Sequence, residues 1–291
     1  MRVASIRHAG ERRVGIVSED GQSIAPIALS VEEAERGVAA LIGKDLPALE
    51  TLSPLPLSEV ELEAPIPQPF RNIFCVGKNY HAHAREFSRS GFDSSAAQGE
   101  VPAHPIIFSK VPETVIATGE PVVIDPEISE AIDYEAELAV IIGREGRGIR
   151  AEDAMDYVWG YTIVNDVTAR DLQGRYSQWL IGKSQDTFCP MGPFAVTADE
   201  IDLSDTAVMT WVNGEERQNA NTRDLIFDVP TIIATISAGV TLKPGDIIAT
   251  GTPEGVGIGF KPPKYLGDGD VVRIDISGIG TLENRVTERR S

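Results

Sequence analysis

The chain predicts a mixed, β-rich α+β fold. A small N-terminal α+β unit and linker, residues 1–69, precedes a larger and mostly antiparallel β domain over residues 70–291. Three observations carry this reading. Short β-branched or apolar runs recur and are closely punctuated by Gly, Pro and Asp. Long helical patterns are scarce and do not alternate with the strands, which disfavours a doubly wound sheet or a TIM barrel. Pro54, Pro56, Pro65, Pro67 and Pro69 crowd one stretch, which reads as a linker.

The elements follow in order. Arg2–Ile6 and Val14–Val17 read as strands, with turn signals at Gly10 and Asp20-Gly21. Ser30–Leu41 reads as a helix, because Ser30 and Glu33 have capping-box spacing. Beyond the prolines, strands are predicted at Asn72–Val76, Ile106–Phe108, Val122–Ile124, Leu138–Ile142, Thr162–Val164, Val208–Val212, Ile247–Thr250 and Val271–Ile276. A helix is predicted over Val229–Ala238, capped by Asp228, with Pro230 in its first turn and Gly239 as its stop. A second is predicted over Ala151–Val158. The polar, small-residue segment Phe87–Pro102 reads as a long loop of the kind that forms lids.

Composition narrows the function classes. The 291 residues carry 44 acids against 26 Lys and Arg, a formal net charge of -18. That surface repels phosphate backbones and anionic bilayers, which argues against nucleic-acid and membrane partners. At 42% hydrophobic content a sizeable core can be buried. No apolar run is long enough to span a bilayer, and the N-terminus has no apolar core of a secretory signal. Cys75 and Cys189 lie far apart in no metal-type spacing, so two free thiols in a reducing cytoplasm are expected.

Chemistry concentrates in three places. In Asp133-Tyr134-Glu135-Ala136-Glu137, strand periodicity puts Glu135 and Glu137 on one face, with Asp133 beside them if the strand extends that far. Such a pair either lies solvated on an exposed edge or is buried and needs a cation or a shared proton. Asp166 ends the apolar run YTIV; it is either a turn residue or a third carboxylate completing an all-oxygen site suited to Mg²⁺, Mn²⁺ or Ca²⁺. His83 and Glu86 are one helical turn apart, which fits either a surface contact or a general-base pair. Lys110, Gln173 and Lys183 sit in motif-like settings, and the Gly-rich stretch Ile248–Gly257 follows a strand. No zinc motif, nucleophile elbow, Walker loop or dinucleotide fingerprint is present.

Together the strings NIFCVGKNYHAHAREF, PIIFSKVPETVI, DYEAELAVIIG, VWGYTIVNDVTARDLQ, GKSQDTFCPMGP, VNGEERQNANTRDLIFDVPTIIATIS and KPGDIIATGTPEGVG resemble the fumarylacetoacetate hydrolase family, from about Asn72 to the C-terminus. The resemblance implies a β-roll-like, mixed β-sandwich catalytic domain and a Mg²⁺ or Mn²⁺ ion at Glu135, Glu137 and Asp166. Some members add a fourth acid before the tyrosine of the first motif; here Gly77-Lys78-Asn79-Tyr80 offers none. The resemblance also implies a His83–Glu86 dyad on a short lid helix and a catalytic Lys183. It implies substrate contacts from Tyr80, Lys110, Gln173 and Thr252, and Arg170 supporting the site. A homodimer is expected.

What the resemblance implies chemically is a small 2-oxo acid whose carboxylate and carbonyl chelate the dication, with water activated by the dyad cleaving a C–C bond of an acylpyruvate. The same enolate chemistry serves isomerisation, decarboxylation or hydration of related acids, oxaloacetate and 2-hydroxyhepta-2,4-dienedioate among them. A silent 2-oxo-acid-binding protein would require a missing triad or dyad residue, and none is missing. A cofactor-dependent oxidoreductase has no motif in its support.

Overall fold

The strand Ala136–Ile142 is buried at all seven positions, so both of its faces must be covered. Its side chains alternate between two cores. Leu138, Val140 and Ile142 join the larger one, while Ala139 and Ile141 join the smaller. The strand pairs antiparallel with Val158–Asn165 on one side and Ile247–Ala249 on the other. In this computed structural model, which describes residues 1–88, 91 and 101–289, that triplet is the middle of one extended sheet.

Outward from the triplet, Ile247–Ala249 pairs parallel with Ile73–Gly77, which pairs antiparallel with Ile106–Lys110. In the other direction Val158–Asn165 pairs with Cys189–Thr197. That strand continues into the N-terminal segment, because Arg2 and Val3 pair with Val196 and Ala195. A second sheet runs Glu215–Asn221, Ala207–Val212, Val271–Ile276, Gly280–Glu288 and Val122–Ile124. Its Val208, Val272, Ile274, Leu282 and Val286 fill the larger core against the first sheet, together with Ile232, Ile233 and Ile236 of the helix Val229–Ser237. The layers form a mostly antiparallel, β-rich mixed fold, as the sequence predicts.

The predicted strands are present, several of them longer than expected, and the Asp228 side chain caps its helix by accepting from the Thr231 N–H at 2.9 Å. Three expectations change. The capping box at Ser30 forms, but the helix ends after Val31–Ala34 and a 3-10 turn Gly37–Leu41 replaces the rest. The break is at Gly37, which is left-handed at φ 59, and a Cβ there would stand 2.4 Å from the Pro65 carbonyl oxygen. Ala151–Tyr157 is a 3-10 helix rather than an α-helix. The proline-rich stretch is more than a linker: Leu55–Pro56 and Glu61–Glu63 pair with Ser23–Pro26 and Arg2–His8. Leu55, Leu57, Val60 and Leu62 pack there against Ala4, Ile6, Val17, Ile24 and Phe194.

Residues 89–90 and 92–100, most of the segment read as a lid, lie outside the described residues. Cys75 and Cys189 are free and buried, and burial pushes the Cys189 thiol up to about 12. No helix among the described residues is long and apolar enough to cross a membrane.

Gly37 locks the N-terminal turn onto Pro65, so Gly37→Ala adds both left-handed strain and a backbone clash. Urea unfolding of that variant is expected to show a loss of about 2 kcal/mol or more, where an unstrained Gly→Ala change is neutral or stabilising. A stability equal to wild type contradicts the geometry.

Candidate active site and metal centre

Strand register assembles the acidic cluster. Glu137 pairs with Val164 across the ladder, so Asp166, two residues on, stands opposite Glu135; the Asp166 N–H donates to the Glu135 carbonyl at 2.9 Å. On the other flank the Gly251 N–H donates to Glu137 Oε2 at 2.7 Å. Oxygens of Glu135, Glu137 and Asp166 lie within 4.8 Å of one another, and the three residues are 4%, 1% and 0% exposed. The exposed-edge and turn readings of these acids are therefore excluded.

The cations around them are equally buried. Lys183 Nζ lies 2.7 Å from both Glu135 Oε2 and Asp166 Oδ2. Lys110 Nζ lies 2.7 Å from Asp166 Oδ1 and also donates to the carbonyls of Val167 and Lys183. Arg170 Nη1 is 2.7 Å from Glu135 Oε1, and its Nε is 2.8 Å from Asp133 Oδ2. Asp133 does not share the face of Glu135 and Glu137, because strand geometry lapses between Ile132–Asp133 and Ala136. It serves Arg170 instead.

Four carboxylates thus face three cations in this ion-paired cluster, and Glu137 has no ion pair among the described residues. The titration directions follow. Burial pushes Glu135 up, but Lys183 and Arg170 outweigh it and hold the carboxyl down to about 2. Burial also pushes Glu137 up, and there the Asp166 and Glu135 carboxylates add to it, so the group is raised well above the ordinary range. Burial lowers the Lys183 ammonium, while Asp166 and Glu135 more than compensate and leave it raised. A surplus carboxylate among clustered hard oxygens is a donor set that fits a divalent cation held by Glu135, Glu137 and Asp166.

Beside the cluster lies a cleft lined by Gly77, Lys78, His83, Phe87, Phe108, Glu135, Glu137, Arg170, Gln173, Trp179, Lys183 and Thr252. His83 and Glu86 lie on the helix His81–Ser88, and His83 Nδ1 is 3.2 Å from Glu86 Oε2. His83 is 4% exposed, so the dyad is no surface contact. Glu86 Oε1 in turn accepts the Gly255 N–H at 3.0 Å. A Nδ1–H donated to Glu86 leaves Nε2 as the basic nitrogen. Thr252 is held by Gln218, whose Nε2 donates to Thr252 Oγ1 at 2.8 Å.

Two expected substrate contacts do not line this cleft. Lys110 is fully buried behind Asp166, with its Nζ paired to that carboxylate. Tyr80 is 3% exposed, its backbone bridges to Leu225, and burial together with the nearby Glu137 carboxylate raises the pKa of its phenol. Conversely, several cleft residues escape the sequence reading. Trp179 packs edge-on against Phe87 and Phe108, with ring centroids 6.2 and 5.2 Å apart. Phe87 also stacks with cations: Lys78 Nζ and Arg170 Cζ lie 5.6 and 5.7 Å from its centroid. A Cβ on Gly77 would stand 2.6 Å from Trp179, so the glycine of the GKNY string makes room for this wall.

The raised Glu137 would make binding of a divalent ion to the triad proton-linked. A carboxyl raised in the folded state stabilises the ion-free protein below its unfolded value of 4.5, and that contribution is lost as pH rises through the folded value. A divalent ion binds the deprotonated form, so Mn²⁺ should raise the melting temperature more as pH rises above the ordinary carboxylate range. Calorimetry in buffers of different ionisation enthalpy is expected to show proton release on Mn²⁺ binding, absent in Glu137→Gln. Proton release of equal size in both proteins would contradict this.

Residues 72–287 match the model of the fumarylacetoacetate (FAA) hydrolase C-terminal family. The chain is 52% identical over 231 residues, 79% of its length, to oxaloacetate tautomerase YisK of Bacillus subtilis strain 168, of which the match covers 74%. It superimposes on fumarylacetoacetate hydrolase from psychrophilic Exiguobacterium antarcticum with a TM-score of 0.84 and 40% identity, covering 99% of this chain and all of the other. The 2-hydroxyhepta-2,4-diene-1,7-dioate isomerase from Mycobacterium marinum gives a TM-score of 0.79 and 34% identity over the whole of both chains. The family match over residues 72–287 and identities of 52% and 40% to these relatives make this chain an enzyme of the fumarylacetoacetate hydrolase family.

Proposed function

We propose that the enzyme interconverts the enol and keto forms of a small 2-oxo acid, oxaloacetate or a close analogue, with Mg²⁺ or Mn²⁺ held by Glu135, Glu137 and Asp166. The observation that carries this reading is that a single buried imidazole, paired with a carboxylate, opens on the same cleft as Glu135 and Glu137 of the carboxylate triad. The 52% identity to an oxaloacetate tautomerase supports tautomerisation over hydrolysis as the outcome.

The chemistry needs little else. In going from enol to keto the O–H proton leaves and one proton is added to C3, so no atom is gained or lost overall. When bound, the divalent ion supplies Lewis-acid polarisation of the 2-oxo group. His83 Nε2 carries the proton, and Glu86 keeps the ring in the tautomer that can accept it. Lys183 spends two donors on Glu135 and Asp166 and lines the cleft, so in this reading its ammonium stabilises the negative charge that develops on the substrate oxygen. Arg170, Gln173 and Thr252 orient the acid, and Phe87, Phe108 and Trp179 exclude water.

Hydrolysis of an acylpyruvate is the second reading. The intact dyad favours it, because a positioned base is what a hydrolytic water requires, and the solved relative from Exiguobacterium antarcticum is a fumarylacetoacetate hydrolase. The two readings separate on substrates. Enol-oxaloacetate decay and acylpyruvate cleavage are measured with saturating Mg²⁺ for wild type and His83→Ala. Tautomerisation is expected to be the faster reaction and to fall about 10²–10⁴-fold in the variant. Rapid acylpyruvate cleavage without acceleration of the tautomer exchange would instead establish the hydrolase.

A further inference from the structure

We infer that Asp133 is a positioning residue that locks Arg170 for recognition of the substrate's carboxylate and ties that recognition to the His83–Glu86 base. This inference rests on the 2-oxo acid reading and adds a residue that the acidic triad does not include. Asp133 is fully buried, and its two oxygens accept four N–H donors. Oδ1 takes the backbone N–H groups of Tyr134 at 2.9 Å and Gly257 at 2.6 Å; Oδ2 takes the Ile258 N–H at 3.0 Å and Arg170 Nε at 2.8 Å.

Each bond has a consequence. With Nε fixed on Asp133 and Nη1 shared by Glu135 and Gln173, the guanidinium plane has no remaining freedom. Its Nη2 is then a buried donor without a hydrogen-bond partner among the described residues, on a side chain that lines the cleft. An unpaired buried N–H costs free energy until a ligand oxygen meets it, which suits a carboxylate of the substrate. The other two acceptor bonds hold the loop at Gly257 and Ile258. Two residues earlier the same loop gives its Gly255 N–H to Glu86, and the Tyr134 hydroxyl donates to the Gly255 carbonyl at 2.8 Å. The glycines are required: a Cβ on Gly257 would stand 2.8 Å from Asp133 Oδ1, and one on Gly255 would stand 1.9 Å from the Arg217 carbonyl oxygen. One carboxylate therefore sets both the anion donor and the orientation of the base.

Calorimetry with oxalate, a 2-oxo acid mimic that needs no turnover, tests this on full-length protein loaded with Mg²⁺. Asp133→Asn keeps the shape but loses the charge. It is expected to weaken oxalate about tenfold to a hundredfold, the range for one charge-assisted hydrogen bond, while Mg²⁺ affinity moves by no more than about twofold. Asp133→Glu should not rescue it, because the longer side chain displaces the loop. Unchanged oxalate affinity overturns the inference, and so does an equal loss of oxalate and Mg²⁺, which would make Asp133 part of the metal site. Should Asp133→Asn not fold, the wild-type protein decides. Its Arg170 Nε–H resonance, assigned by its loss in Arg170→Lys, must be protected from exchange with or without oxalate, and free exchange overturns the inference. Wild-type protein that binds no oxalate would refute the 2-oxo acid reading instead, and the resonance still reports on Asp133.

Discussion

Glu137 is a carboxylate buried among carboxylates, and much of the surrounding structure answers that one constraint. A lone buried charge costs several kcal/mol even after relaxation. Lys183, Lys110 and Arg170 are committed to Glu135, Asp166 and Asp133, so among the described residues Glu137 receives only the Gly251 N–H directly. Burial first, and then the neighbouring Asp166 and Glu135 carboxylates, raise its proton affinity. In the proposed function a dication on the triad would offset this imbalance, and a chelating acid would then meet a cleft lined by Arg170, Lys183 and Lys78. We propose that an ion and an anion together complete the site.

The backbone between Gly251 and Ile258 is the second half of the design. Its N–H groups reach Glu137, Glu86 and Asp133 in turn, so the three carboxylates to which we assign ion binding, base orientation and anion orientation are held by one loop. The strand Glu215–Asn221 supports it from the second sheet. There Gln218, fully buried, donates to Thr252 and Pro253 and accepts from Ala136 and Thr210. Packing of the two sheets thus transmits directly to cleft geometry, which explains why a site made of short strand ends can be rigid.

Much of this was legible in the sequence, for physical reasons. A period of two puts Glu135 and Glu137 together, a carboxylate ending an apolar strand is a candidate partner, and a three-residue spacing pairs His83 with Glu86. Asp228 and Ser30 announce their caps. The illegible parts share a cause: their burial comes from partners remote in sequence. Glu215–Asn221 has almost no apolar residue, yet Gln218 is wholly buried because other strands satisfy it. Cys189–Thr197 contains two prolines and is nevertheless central. Lys110 ends a strand as expected, but only the register shows it standing behind Asp166 rather than in the cleft. Asp133 has the right parity for the triad and misses it because the chain leaves strand geometry before Ala136.

The central claim is that Glu135, Glu137 and Asp166 form one oxygen-only cation site facing the dyad. Anomalous diffraction from Mn²⁺-soaked crystals, with and without oxalate, tests it most directly. The account predicts one ion bound to all three carboxylates, with oxalate oxygens on that same ion and a carboxylate of oxalate against Arg170. An ion elsewhere, or oxalate bound in the cleft without touching it, would contradict the account.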